Sequence, residues 1–355
     1  VMDMVTAAKV FSDIGWGLFH YIIFYPPVYQ FIIIPGLVAA LVVVVFMIWF
    51  ERKAAARVQM RYGPLEISPR TGGAPQLIAD LIRYTVQELI IPSAADFFAF
   101  IVAPNAMLIL SLLPMVAVPM TSISEYWPIP MGYSLLIAVA LSTLAPIFTV
   151  VMAWASNNKF SVLGGVRESF IIVAYELIAV ISLLSVVPLL HTFNLVDIVN
   201  YQMSGIWLGL LNPIALLDLF IAILMSTSGF PFEIPDSETE LVAGPFTEYS
   251  GLIYGINMGG GYIRRWAFSV LMTLVFLGGW APYRPGPGIL LGYFVPSLIV
   301  VVKATIVMAI MSFLRAVYGR YRLDQALSLA WEVLIPLAFA AFGISVAEAF
   351  FGVHP

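Results

Sequence analysis

Residues 31–50 read FIIIPGLVAALVVVVFMIWF, twenty positions without a charge. Seven further largely apolar runs follow, at 97–119, 133–155, 170–190, 207–228, a segment ending at Trp280, 290–314 and 331–351. A hydrocarbon core of about 30 Å takes about 20 apolar residues per helix. Backbone polar groups in lipid must be satisfied within a helix or a closed barrel. Runs of this length therefore predict an all-α, polytopic membrane helix bundle of about eight transmembrane helices plus interfacial amphipathic helices. Residues 1–355 would form a single membrane domain. A short aromatic segment at 11–25 predicts a peripheral or extra helix within residues 1–30, and nothing there has the basic region or cleavage site of a signal peptide. Charged residues are 10% of the chain, against roughly 25% in soluble domains.

The few charges limit the function classes. A net charge of −4 does not suit a nucleic-acid surface, which must be basic. Without cysteine there is no disulfide, no thiolate nucleophile and no ligand set for an iron–sulfur cluster. His20, His191 and His354 are far apart in sequence. The expectation is that this chain holds no redox centre of its own.

Lys and Arg cluster after the first run (Arg52, Lys53, Arg57, Arg61, Arg70, Arg83), after the third (Lys159, Arg167) and after the seventh (Arg315, Arg320, Arg322). The positive-inside bias puts these segments on the cytoplasmic face of a cell membrane and both termini outside. The first basic segment, 51–97, contains PQLIADLIRYTVQELII at 75–91. Leu77, Ile78, Leu81, Ile82, Val86, Leu89 and Ile90 recur at helical spacing, opposite a polar line of Asp80, Tyr84 and Glu88. This pattern predicts a helix lying in the membrane interface, although its polar residues could equally be an ordinary solvated face. Gly164 and Gly165 predict a turn in the short segment 156–165. Pro104, Pro114, Pro119, Pro146 and Pro188, inside or at the ends of spans, predict kinks, tolerated where neighbouring helices satisfy the freed carbonyls. Gly259, Gly260 and Gly261 suit close helix packing better than a nucleotide loop.

The third cytoplasmic segment, 229–265, breaks the charge bias. Residues 226–250, STSGFPFEIPDSETELVAGPFTEYS, carry Glu233, Asp236, Glu238, Glu240 and Glu248. From 168 to 263 there are nine acidic residues and no Lys or Arg. The interleaved Phe230, Phe232, Ile234, Leu241, Val242 and Phe246 predict that the loop folds back into the protein and takes its carboxylates with it; the alternative is a solvated loop. Like charges crowded at low dielectric cannot all ionise, so a folded loop would handle protons near neutral pH. Glu176, Asp218 and Lys303 fall inside apolar runs. Such groups face a bundle interior, either as proton carriers or as pairs that hold helices together.

Short motifs along nearly the whole chain resemble one family. Glu51-Arg52-Lys53 and Gln59-Met60-Arg61-Tyr62-Gly63-Pro64 are followed by Gln76…Ala79-Asp80, Gln87-Glu88…Pro92 and Ala103-Pro104. Next come Trp154-Ala155-Ser156-Asn157-Asn158-Lys159, Leu163-Gly164…Arg167 and Tyr175-Glu176. Pro231-Phe232-Glu233, Glu238…Glu240-Leu241-Val242-Ala243-Gly244 and Thr247-Glu248-Tyr249-Ser250-Gly251 lie in the acidic loop. Phe276-Leu277-Gly278-Gly279-Trp280, Arg320-Tyr321-Arg322…Asp324-Gln325 and Trp331…Pro336 complete the series. Together they resemble the NuoH-type membrane subunit of respiratory complex I and related ion-translocating oxidoreductases.

The resemblance implies a subunit at the junction of the redox arm and the membrane arm. It would form the quinone-access chamber and couple electron transfer to proton translocation. By motif, Gln59, Arg61, Asp80 and Arg83 would bind quinone, the substrate. Glu176, Glu233, Asp236, Glu238, Glu240 and Glu248 would form a proton relay, with Arg167 as counter-charge. Asp218 and Lys303 join that relay on the intramembrane-charge argument alone. Implied partners are quinone-site and iron–sulfur subunits of a peripheral arm, with flavin among their cofactors, and antiporter-like and small membrane subunits. The family pattern A-E-x-N-R stands here as Met225, Ser226, Thr227, Ser228 and Gly229, and the Glu of an A-E-Y motif is Gly261; the Asn after Gly-Pro is Leu65. Asp218, about two helical turns before Ser226, is the expected substitute for the lost carboxylate. These departures leave room for a hydrogenase or sulfur-reducing relative without quinone. A stand-alone secondary transporter is the rival from another class.

Overall fold

The structure is a computed structural model that describes residues 35–123, 132–288 and 290–351. The helix expected within residues 1–30 lies outside the described residues, as does the side chain of Glu238. Among the described residues every regular element is helical. The helices are α1 Leu37–Val58, α2 Gln76–Val86, α3 Phe97–Leu112, α4 Ser134–Ser142, α5 Ala145–Ala155, α6 Lys159–Leu184, α7 Leu195–Ser204, α8 Pro213–Ser226, α9 Gly251–Phe276, α10 Val295–Val317, α11 Leu323–Ser328 and α12 Ile335–Phe350, joined by shorter turns.

Five helical stretches are long and apolar enough to cross a membrane: Phe97–Ala117, Ser134–Ala155, Lys159–Leu190, Leu290–Val317 and Leu323–Phe350. This is fewer than the eight expected, and the reason is chemical. The other three runs are helical too, but α1 carries Glu51, Arg52 and Lys53 in its last turns, α8 has only 14 residues, and α9 has Arg264 and Arg265 in its middle. The outer surface is apolar: Val42, Leu298 and Phe339 are each at least 60% exposed. A helix bundle with that surface is embedded in a membrane.

Proline and capping residues set several boundaries. The third run is divided at Thr143–Leu144, just before Pro146, which lacks the N–H that would continue the ladder. Pro114 opens the 3₁₀ turn Leu113–Ala117 after α3, and Pro188 opens the short helix Val187–Leu190. Asp96 caps α3 by accepting from the Ala99 N–H at 3.1 Å, and Asn158 caps α6 by accepting from the Phe160 N–H at 2.9 Å.

Gly164 and Gly165 do not make the expected turn; the chain reverses at 156–158 and both glycines lie within α6. Their small size serves packing instead. A Cβ at Gly164 would sit 2.7 Å from Pro245 Cδ and 2.8 Å from Gly244 Cα, and one at Gly165 would sit 2.5 Å from Ala153 Cβ. The glycines at 259–261 show the reverse. A Cβ at Gly259 or Gly261 would meet nothing within 4 Å, so these two do not support close helix packing.

α6 lies at the centre, packed on α5, α8 and α12, while α9 packs on α3, α8 and α10, and α10 on α1. The main core joins these helices around Trp266, Tyr175, Ile178, Leu219 and Met308. A second apolar cluster, with Phe100, Met107, Met152, Phe246, Tyr249 and Ile253, ties the acidic loop to α3, α5 and α9. Phe100 and Tyr249 stack with ring centroids 4.2 Å apart, and the Tyr249 hydroxyl donates to the Met152 carbonyl at 3.1 Å.

α2 forms where the alternation of apolar residues predicts it but ends at Val86, because Gln87 adopts extended backbone. Glu88 is therefore off the helix. Ile78, Leu81, Ile82 and Val86 are exposed and only Leu77 is buried, the arrangement of a helix that presents an apolar face outward. Tyr84 holds it to α9 through Tyr254, with ring centroids 5.9 Å apart.

Candidate functional site

The acidic loop folds inward at Phe232, Ile234, Leu241, Phe246 and Tyr249, which are buried, while Glu240 and Val242 are exposed; two short helical turns, Glu238–Leu241 and Gly244–Phe246, shape its path. Gly244 makes the tightest bend: its φ is +51°, and a Cβ there would lie 2.0 Å from the Pro235 carbonyl oxygen. The loop thereby closes one side of a partly open cavity of about 200 Å³. Glu233 and Asp236 line it from the loop, Glu168 from α6, Glu51 from α1, Ser226 from α8, Asn257, Tyr262, Arg264 and Arg265 from α9, and Arg315 from α10.

One wall is a charge cluster around Glu51, which is 3% exposed. Its carboxylate accepts from Arg315 and from the Tyr262 hydroxyl at 3.0 Å, with Arg265 Nη1 at 3.7 Å. A buried carboxylate needs such donors, since an unpaired charge at low dielectric costs several kcal/mol. Arg265 also donates to Thr227 Oγ1 at 3.2 Å. Its Nη2 lies 3.1 Å from where a Cβ on Gly229 would be, so the guanidinium occupies the space that a side chain at 229 would take.

The opposite wall is a hydrogen-bond chain. Arg264 Nη1 donates to the Ser226 carbonyl at 2.7 Å and Nη2 to the Tyr175 hydroxyl at 3.2 Å, while that hydroxyl donates to Glu168 Oε1 at 3.3 Å. Arg264 also lies over the Tyr175 ring at 5.3 Å, a cation–π contact. Burial pushes the Asp236 carboxyl well above the usual carboxylate range; the negative charges of Glu168 and Glu233 add to this, and Arg320 opposes it.

Two of the acids that lack basic neighbours in sequence gain them in space, and a third gains a neutral donor. Glu233 accepts from Arg320 Nη2 at 3.2 Å, Glu240 pairs with Arg167, and Glu248 accepts from the Asn158 side-chain amide. For Glu233 and Glu240 the absence of nearby cations is a property of the linear chain only. Glu238 begins the short turn Glu238–Leu241.

The other expected relay groups lie apart. Glu176, on α6, is partly buried with Oε1 unpaired, and Asp218, on α8, is 2% exposed with Oδ2 unpaired. Asp218 is not among the residues that line the cavity; Glu168 is, together with Ser226. Lys303 sits at the far end of α9. It donates to the carbonyls of Leu277 at 2.8 Å and Ala281 at 2.7 Å and lies 4.7 Å from the centre of the Trp207 ring.

None of the four expected quinone residues lines the cavity. Gln59 and Arg61 bond each other at 2.8 Å on the exposed surface after α1. Asp80 pairs with Arg52 at 2.7 Å, joining α2 to α1, and Arg83 lies 5.0 Å from the centre of the Tyr84 ring.

Sequence reasoning missed Glu51, Glu168, Arg264, Arg265 and Arg315 as site residues. For Arg264 and Arg265 a signal was available: two arginines inside an otherwise apolar run have the same meaning as any intramembrane charge. For Glu51 and Arg315, 264 positions apart, adjacency in sequence offers no signal.

Known proteins share this arrangement of sequence. The profile of a family described as NADH dehydrogenase matches residues 31–346. The H subunit of NADH-quinone oxidoreductase from Geobacillus thermodenitrificans is 36% identical over 308 residues, which is 85% of this chain and 90% of that protein. Its counterpart in the same enzyme from a Geobacillus species is 35% identical, covering 89% of this chain and 92% of the relative. The H subunit of the F(420)H(2) dehydrogenase of Methanosarcina mazei is 34% identical, covering 82% and 85%. With a family match across almost all of its length, this membrane-embedded chain belongs to the NADH dehydrogenase family that includes the H subunits of the NADH-quinone oxidoreductases.

Proposed function

We propose that the chain is the membrane subunit at the junction of the redox and membrane arms of a complex I-like oxidoreductase, and that it couples electron transfer to a quinone to proton translocation. The observation that carries the proposal is the cavity: carboxylates from three separate segments (Glu51, Glu168, and Glu233 with Asp236) meet in one pocket closed by the folded acidic loop. The relatives named as quinone oxidoreductase subunits supply the substrate class.

In this mechanism quinone approaches along the surface formed after α1 and by α2, where Gln59, Arg61, Asp80 and Arg83 are the binding candidates. Electrons come from iron–sulfur partners in a peripheral arm. The charge placed on quinone shifts the carboxylates of the loop, because a new negative charge raises the pKa of each neighbouring acid. Glu233, Asp236, Glu238, Glu240 and Glu248 take up and pass protons, Arg167 offsets Glu240, and Glu176, Asp218 and Lys303 continue the path within the bilayer toward antiporter-like subunits. The electron donor has a second reading. One relative is named for F(420)H(2), so F(420)H(2) stands beside NADH as a donor.

Purification through an affinity tag on this chain tests the assignment. The expected product is a multi-subunit complex that contains iron and reduces a soluble quinone analogue, while the chain isolated alone does not. A homogeneous single chain that transports a solute in liposomes would instead establish the transporter reading.

A further inference from the structure

We propose that Glu168 is the proton-accepting carboxylate of the cavity and that Tyr175 and Arg264 are the groups that position it. The proposal rests on the coupling role above and deepens it by naming an acid that lies outside the matched motifs.

Glu168 is 4% exposed, and its two oxygens differ. Oε1 is held by the Tyr175 hydroxyl, seven residues along the same face of α6. That hydroxyl is itself fixed by Arg264, which is anchored on the Ser226 carbonyl at the end of α8. Oε2 is buried and has no protein partner among the described residues, although Glu168 lines the cavity. Across the same space Asn257, 2% exposed, has both amide atoms unpaired, and Arg264 Nε is unpaired as well. Buried polar atoms of this kind are ordinarily hydrogen-bonded. The partly open space of about 200 Å³ has room for several waters. Water that enters from the cavity would find Glu168 Oε2, Asn257 and Arg264 Nε without protein partners among the described residues, while Oε1 is already held by Tyr175.

The charged surroundings are defined on each side. On its own helix Glu168 faces Tyr175 and Glu176; from α9 it faces Arg264, and from the loop Asp236. α5 carries no charge, α8 carries only Asp218, and α12 carries only Glu348. α11 and the turn that follows it contribute Asp324 and Glu332, both exposed, and Glu240 at the loop turn is paired with Arg167. The step is proton transfer alone. A proton carried by cavity water adds to Oε2, the carboxylate becomes a neutral acid, and release returns the proton to water. Asp236 shares the cavity, so the two acids titrate as a coupled pair.

Infrared spectroscopy of the full chain in liposomes tests this by following the C=O stretch of protonated carboxylic acids as pH is varied. In the wild type a component of that band disappears as pH rises. Glu168→Gln removes the component, the exposed control Glu332→Gln retains it, and Tyr175→Phe shifts its frequency and midpoint by withdrawing the donor to Oε1. If Glu168→Gln does not fold, Tyr175→Phe decides, since it keeps the ring under Arg264. In the assembled complex, Glu168→Gln lowers coupled proton translocation about tenfold or more. An unchanged band in Glu168→Gln, or in Tyr175→Phe where that variant decides, overturns the proposal and leaves the coupling role intact. A wild-type complex that moves no protons while the Glu168 band titrates as described overturns the coupling role and leaves the carboxylate assignment intact.

Discussion

Removing the charge of Glu51 leaves Arg265 and Arg315 beside each other without the anion they share. Breaking a buried ion pair by deleting one partner costs about 3–5 kcal/mol. Because the Arg315 side chain is 45% exposed, Glu51→Gln should lie at the low end, about 3 kcal/mol. The check is a lowered unfolding midpoint in detergent, together with partial recovery when Arg315→Gln is added. Asp236 gives a pH signature with a definite sign. Its carboxyl sits above the ordinary value of 3.8 in the folded protein, so the native state binds this proton more tightly than the unfolded chain does. Its contribution is fully present below that ordinary value and is lost as pH rises through the raised one. Asp236→Asn should therefore flatten the fall in stability from acid toward neutral pH, which melting curves across that range would read directly. A variant whose pH profile parallels that of the wild type would contradict the burial of Asp236 in the folded loop.

At the scale of elements, α6 and the acidic loop are fitted to each other through Gly164. A methyl group there would meet Pro245 and the Gly244 backbone inside van der Waals contact. Overpacking of that kind costs about 1–3 kcal/mol, and the loop, being the smaller body, would move. Gly164→Ala should therefore raise the rate at which protease cuts between 236 and 248 and lower coupled activity, with little change in helix content by circular dichroism. This contact also shows where sequence stops being informative. The pair Gly164-Gly165 reads equally well as a turn or as a packing notch, and only the position of the loop decides between them. Helix α2 was legible because its own side chains carry the pattern. Its end at Val86 was not, because the apolar recurrence continues through Leu89 and Ile90 after the backbone has become extended. The apolar runs marked helices well. They overstated the number of uniformly apolar spans, because the charges at 51–53 and 264–265 fall inside helices, where Glu51, Arg52, Arg264 and Arg265 find partners only in three dimensions.

Over the whole molecule, the chain gathers into one cavity acids and arginines that are widely separated along it. The folded loop was legible from its interleaved phenylalanines. Its cations were not, because Arg167, Arg320 and the arginines of α9 and α10 reach the site only through helix packing. The resemblance pointed to the correct family, while the charge pairs that set up this cavity had to be read in space. The most direct test of the central claim is proton translocation per electron by the assembled complex in liposomes, with quinone as acceptor, for the wild type and for Glu233→Gln combined with Asp236→Asn. A relay through the folded loop predicts that the double variant assembles but loses translocation about tenfold or more. Unchanged translocation and quinone reduction in an intact double-variant complex would contradict it.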